Sequence, residues 1–254
     1  MLSRILTLSR LFLISPSRAA AASRQEENLA PCLWIYAAGT AGTMLFFTLK
    51  PFDFPDPGAA LPREPQSLVF WLKVLLWQPP LEAAWFAFLL GLVAWFRRGA
   101  LPVRLLSAVA WAAAPFILMA AAGARGGAAK TTLALGALVW LGLFVPLWRR
   151  LTRAEAAPVV IFMLGVNVVG VVMLAPMILA VCLRSPGLFT AVQAAGGLWI
   201  LGCGTLGLRH LTELRLPRAF MAVLFSMFFQ VAVALTLHLL GLVPKDILKA
   251  LLYA

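Results

Sequence analysis

The stretch LWILGCGTLGLRHL, residues 198–211, decides how the chain is read. Gly202, Gly204 and Gly207 stand in the G-x-G-x-x-G spacing that closes round a dinucleotide pyrophosphate when it joins a strand to a helix. The same glycines lie at the end of a charge-free apolar run, 188–208. At about 1.5 Å per residue, a helix of that length crosses a hydrocarbon core of about 30 Å. Open strand-and-turn backbone cannot exist at that depth unless protein or a cavity surrounds it, because every amide there needs an internal partner. A nucleotide unit also needs an acid about 20 residues further on, and the nearest one, Glu213, comes too early. The glycines, with Gly196 and Gly197, are therefore read as a small-residue surface that lets another helix approach closely.

Composition extends this reading to the whole chain. Of its 254 residues 63% are hydrophobic and only 12% charged, whereas soluble domains have roughly 45–50% apolar and about 25% charged residues. The expected fold is all-α, a polytopic transmembrane helical bundle of about seven spans (five to seven), preceded by an N-terminal interfacial amphipathic helix. The net charge of +12 does not point to nucleic acid, because the basic residues sit between apolar runs, where anionic lipid and topology select them.

Counting runs near the required length gives spans near 31–49, 81–96, 105–124, 131–148, 156–183, 188–208 and 219–243. They form one expected transmembrane domain, 31–254, after a cytoplasmic amphipathic helix and neck, 1–30. In that first segment Leu2, Ile5, Leu6, Phe12 and Leu13 share one helical face, with Ser3, Arg4, Thr7 and Arg10 on another, while Leu8, Ser9 and Leu11 blur the division. A polar neck, SRQEEN, follows. Arg10 and the Ser15-Pro16 break leave no uncharged core of signal-peptide length, so the segment is expected to stay attached. Between the first two spans, KPFDFPDPGAALPREPQS is too rich in proline and acid to be buried in lipid, and LVFWLKVLLWQPP is expected to be an interfacial or half-buried helix leading into the second span.

Basic residues set the orientation. With the N-terminus inside, the inner connections carry Arg4, Arg10, Arg18, Arg24, Arg97, Arg98, Arg104, Arg149, Arg150, Arg153, Arg209, Arg215 and Arg218. The other side carries Lys50, Arg63, Lys73, Arg125, Lys130, Arg184, Lys245 and Lys249, together with Asp53, Asp56 and Glu64. The bias predicts a multi-pass protein of the cell inner (plasma) membrane with a cytoplasmic N-terminus.

Residues that could carry chemistry are few. Cys32, Cys182 and Cys203 are far apart and read as packing residues. His210 and Glu213 have ligand-like spacing, but two ligands make no metal site, and Arg209, Arg215 and Arg218 nearby mark a charged loop. Within the spans Glu82, Asn167, Gln193, Gln230 and His238 are polar, and a buried ionisable group in a bilayer is a candidate functional residue. Glu82 and His238 fall toward outer helix ends, where snorkelling accounts for them, and Asn167 and Gln230 are expected to make interhelical hydrogen bonds. Metalloprotease, nucleophile-elbow and phosphate-loop motifs are missing. The expectation is a non-enzyme without catalytic, cofactor-binding or metal residues, whose partners are the lipid bilayer and a second protein or second copy meeting its small-residue helix faces. The prolines at 115, 146 and 176 and the amides of Asn167 and Gln230 motivate the alternative, a small permease or membrane subunit of a transport system.

Several stretches together resemble the Yip domain family, polytopic membrane proteins named for interaction with Ypt and Rab GTPases, with many bacterial members. LFLISPSRAAAA, the polar neck and APCLWIYAAG look like that family's cytoplasmic segment and entry into its first span, and AWAAAPFILM around Pro115 is similar to its small-residue-then-proline helix. GGLWILGCGTLGLRHLTELRLPRAFMAVL looks like its last two spans, with the match carried by Trp199, Gly207, Arg218 and Ala219. The family typically has five spans, and 131–183 supplies the surplus here. The resemblance implies a non-enzymatic membrane scaffold that works through helix packing and protein contacts.

Overall fold

A computed structural model describes residues 1–51, 54, 68–123, 129–148 and 152–253. The acids Asp53, Asp56 and Glu64 and the arginines Arg63, Arg125, Arg149 and Arg150 used in the orientation argument lie outside the described residues. Among the described residues the chain is helical, without a strand, and seven stretches are long and apolar enough to cross a membrane. The protein is therefore an all-α polytopic membrane protein. Leu49, Leu76, Leu106 and Leu198 point away from the protein, as side chains solvated by lipid do.

The helices are α1 (Leu2–Ile14), α2 (Pro16–Ala22), α3 (Leu29–Leu49), α4 (Leu68–Phe96), α5 (Leu101–Gly123), α6 (Ala129–Gly142), α7 (Val145–Trp148), α8 (Arg153–Val166), α9 (Val168–Cys182), α10 (Pro186–Thr212), α11 (Leu216–Leu239) and α12 (Lys245–Tyr253). Four expected elements differ. LVFWLKVLLWQPP is not a separate interfacial helix: α4 runs unbroken through Pro79 and Pro80, both of which are exposed. The fourth span stops at Gly142 and resumes at Val145, with a turn at Leu143-Phe144 ahead of Pro146. The fifth is two helices, α8 and α9, that meet at Asn167. The last span ends at Leu239, where Gly241 adopts a left-handed φ of 81°, and α12 follows as an additional short helix.

Contacts group the chain into two compact units, the first holding 1–71 with 157–213, the second 72–156 with 214–253. In the first, α10 packs on α9 and α2, and α3 packs on α9 and α1. The neck is a tight polar turn. Asn28, buried, accepts from Arg4 Nε at 2.8 Å and donates to the Ala22 carbonyl at 2.7 Å, so α1 folds back beside the start of α3. Close approach between α3 and α9 depends on glycine: a Cβ at Gly39 would lie 3.4 Å from the Asn167 carbonyl, and one at Gly42 only 2.7 Å from Leu174. At the far end of α3, Phe46 and Phe54 pack with Phe189 and Ala180, and the Lys50 ammonium donates to the Phe54 carbonyl.

The second unit is built on aromatic rings. Phe144, at the turn between α6 and α7, is fully buried among Phe88, Trp111, Trp140 and Phe229, with ring centroids 4.6–6.3 Å apart. Offset and edge contacts at such separations stabilise by about 0.5–1.5 kcal/mol per pair beyond burial itself. Indole N–H groups that would otherwise be orphaned each find an acceptor: Trp85 on Ser226 Oγ, Trp140 on the Trp111 carbonyl and Trp148 on the Ala87 carbonyl, at 2.7–3.0 Å.

Candidate functional site

The largest side chain that seats the N-terminal helix in the first unit is Phe12. Phe12 is 1% exposed, and its ring lies 5.3 Å from that of Phe162 on α8. Gly165 makes room for it, because a Cβ there would overlap the Phe12 ring, and Cys203 Sγ on α10 reaches the Phe12 carbonyl at 3.8 Å. One turn further along α10, Gly207 admits the Phe162 ring, which again occupies the space a Cβ would need. Three helices thus meet on two rings seated over two glycines.

This divides the glycines of the opening stretch. Gly196, Gly204 and Gly207 share the buried face of α10, and a Cβ on Gly196 would stand 3.2 Å from Met173. Gly197 and Gly202 are exposed with nothing near them, so the expected five-glycine packing face is corrected to three. Helical phase sets Gly202 apart, since it faces away from 196, 203 and 207, whereas Gly197 is nearly in phase with 204 and is open because no neighbouring atom reaches it at its level of α10. The cysteines divide too, since Cys32 and Cys203 are buried as expected but Cys182, at the end of α9, is exposed.

The first helix is likewise sorted differently from its wheel. Leu8, which blurred the pattern, is buried with Phe12, one turn apart, whereas Leu2 and Leu6 remain 71% and 62% exposed. A helix with one apolar stripe against protein and a second facing outward cannot show a clean two-sided division. Arg4 is held beside Glu27 at 2.6 Å, and that carboxylate shifts the guanidinium further toward its charged form.

The polar residues of the spans do not converge. Asn167 donates to the carbonyls of Met163 and Leu164, at 3.2 and 3.3 Å, within its own chain segment, so the expected interhelical bond is replaced by a cap on the last turn of α8. Those carbonyls lose their partners where the helix breaks, and the nearest amide takes them. Gln193 and Gln230 are half-buried on α10 and α11. His238 stands in the last turn of α11, its Nδ1 2.7 Å from the Val243 carbonyl, which ties down the turn into α12.

Glu82 is the correction with the most chemical weight. Because α4 begins at Leu68, Glu82 is the fifteenth of its 29 residues, in the middle rather than near an end. It lies 14 residues before Phe96, about 21 Å along the helix axis, on a helix long and apolar enough to cross a membrane. Gln78, one turn earlier, donates to Glu82 Oε1 at 3.2 Å. The sequence reading puts Gln78 in a separate helix ahead of a span at 81–96, and so does not bring the two side chains together.

Charged ends complete the description. Arg218, at the start of α11, donates to the carbonyls of Phe96 and Gly99, each at 2.8 Å, and so closes the carboxyl end of α4, where unpaired carbonyls carry partial negative charge. Arg104 stacks over the Trp95 ring at 3.9 Å, and Arg97 pairs with Glu155 at 2.6 Å. In the first unit His210 and Arg209 line a shallow cavity of about 270 Å³ with Pro16, Ser17 and Leu206. Glu213 takes no part in it and ends α10 with a left-handed φ of 58°. No group of three His, Cys, Asp or Glu side chains among the described residues could hold a metal ion.

Fold and site together define a multi-pass α-helical membrane protein. In comparison with known proteins, no family model, no curated protein and no solved structure matches the chain.

Proposed function

We propose that this protein is a non-enzymatic scaffold that organises the membrane or binds a partner there, similar to the Yip domain family, with its N-terminus on the cytoplasmic side of a bacterial-type inner (plasma) membrane. The observation that carries this reading is α1: Phe12 and Leu8 fasten it to the first unit, while Leu2 and Leu6 are left as an outward apolar ridge near Arg10. An apolar ridge edged by cationic side chains is what lies at the headgroup boundary, and a helix bolted to a bundle there wedges one leaflet. Gly197 and Gly202, open on α10, are where a second copy or a partner helix approaches.

The test is reconstitution of the full-length protein into vesicles of neutral and anionic phospholipid. Vesicles are expected to become smaller or tubulated by electron microscopy, and Leu2→Ser with Leu6→Ser to remove the effect while the protein stays folded. Unchanged vesicle shape with the wild-type protein sinks the reading. A small permease is the second reading, favoured by the interruptions at Asn167 and at Leu143-Phe144, features of carrier helices; solute leaving the same vesicles would establish it.

Orientation has its own measurement. Reporter domains fused after Arg98, Arg153 and Arg218 are expected to show cytoplasmic activity at all three points. Periplasmic activity there reverses the proposed topology.

A further inference from the structure

Glu82 and Gln78 present an imbalance of oxygens. The Gln78 amide nitrogen bonds one carboxylate oxygen, but Gln78 Oε1 and Glu82 Oε2 are both buried with no donor in reach. The two prolines between them add to the shortage. Neither has an N–H to offer the carbonyl four residues earlier, so the carbonyls of Leu75 and Leu76 lose their helical partners on the same stretch of α4. No cationic side chain among the described residues pairs with Glu82, since the ion pairs there are Arg4 with Glu27 and Arg97 with Glu155.

Acceptors without donors, around one potential negative charge buried midway along a membrane-spanning helix, need a cation. An uncompensated carboxylate there costs several kcal/mol, so it is neutralised or paired. Reversing the Gln78 amide does not remove the need. It would set amide oxygen against carboxyl oxygen, which requires a proton between them. A single carboxylate balances a single positive charge, and all-oxygen surroundings suit a hard ion.

We propose that Gln78 and Glu82, with their unpartnered Oε1 and Oε2, form an intramembrane binding site for a monovalent cation, either a proton or an alkali ion. The proton-loaded form is a neutral carboxylic acid that donates from Oε2, and the alkali-loaded form is a carboxylate with the ion among the oxygens. The site goes beyond the scaffold reading and stands independently of it.

Dicyclohexylcarbodiimide distinguishes the forms, because it modifies protonated carboxyls in apolar surroundings. Full-length protein in detergent and in sodium-free vesicles is treated, and the adduct is located by peptide mass mapping. Glu82 is expected to be modified, exposed Glu26 not, and Glu82→Gln to abolish the adduct while preserving the elution profile. Protection by sodium chloride but not choline chloride assigns an alkali ion, and modification that is indifferent to both salts and falls as pH rises assigns a proton. Gln78→Leu, which keeps the carboxyl but removes one ligand, is expected to weaken sodium protection or to shift the pH dependence. Folded protein with no adduct on Glu82 at any pH in sodium-free buffer, or modified no faster than Glu26, overturns the proposal.

Discussion

Replacing Gly207 by alanine destabilises the protein, whereas the same change at Gly202, five residues earlier on α10, does not. Both substitutions exchange glycine for a better helix former, a gain of about 0.8–1 kcal/mol in an exposed helix interior. At Gly202 nothing opposes that gain, since a Cβ there meets no atom within 4 Å. At Gly207 the Cβ falls within the ring of Phe162, which is fully buried and held by Phe12, so it cannot swing aside without moving a second ring. Overpacking of this kind costs about 1–3 kcal/mol and outweighs the helical gain. Thermal midpoints of detergent-solubilised protein should fall for Gly207→Ala and hold or rise for Gly202→Ala, and Gly207→Leu should not accumulate in membranes. Combining Gly207→Ala with Phe162→Leu should recover part of the loss, since the smaller side chain frees the space. Equal behaviour at 202 and 207 would mean that the two rings do not set the approach of α8 to α10.

The second large effect is at Phe12. Removing a buried phenyl ring costs about 3–5 kcal/mol, through lost transfer energy and the cavity left over Gly165. Leu8 and the Arg4–Asn28 hydrogen bond also hold α1, but each contributes less than a buried phenyl ring. Arg4 and Glu27 form a solvent-exposed pair, and such pairs contribute little. Phe12→Ala is therefore expected to detach α1 locally while leaving the spans intact, so trypsin cuts at Arg10 and Arg18 far faster than in the wild type. Arg4→Ala should leave the digestion rate nearly unchanged. If Phe12→Ala digests at the wild-type rate, the helix is held by something other than its aromatic anchor.

Particular residues show how far the sequence could be read. The spans were legible because hydropathy adds along the chain and a bilayer sets a minimum length. The 188–208 run therefore overruled a dinucleotide fingerprint, and α10 is indeed one helix through all three glycines. Sidedness was not legible: lipid tails are as apolar as leucine, so nothing in its letters distinguishes Gly202, facing outward, from Gly207, seated against Phe162. Asn167 reads as a bond between helices, yet it caps the end of its own helix. Glu82 reads as a residue near a helix end because the charge-free run is counted from Leu81, whereas α4 begins at Leu68.

The sequence by itself determined that this is an all-α membrane protein, with seven stretches among the described residues long and apolar enough to cross a membrane, since those properties depend on composition and run length. Only the tertiary structure decided that Phe12 pins the first helix, that three of five glycines on α10 are buried, and that Glu82 lies mid-span beside Gln78. Those facts depend on helical phase and on which neighbour fills each space, and a one-dimensional hydropathy pattern carries neither.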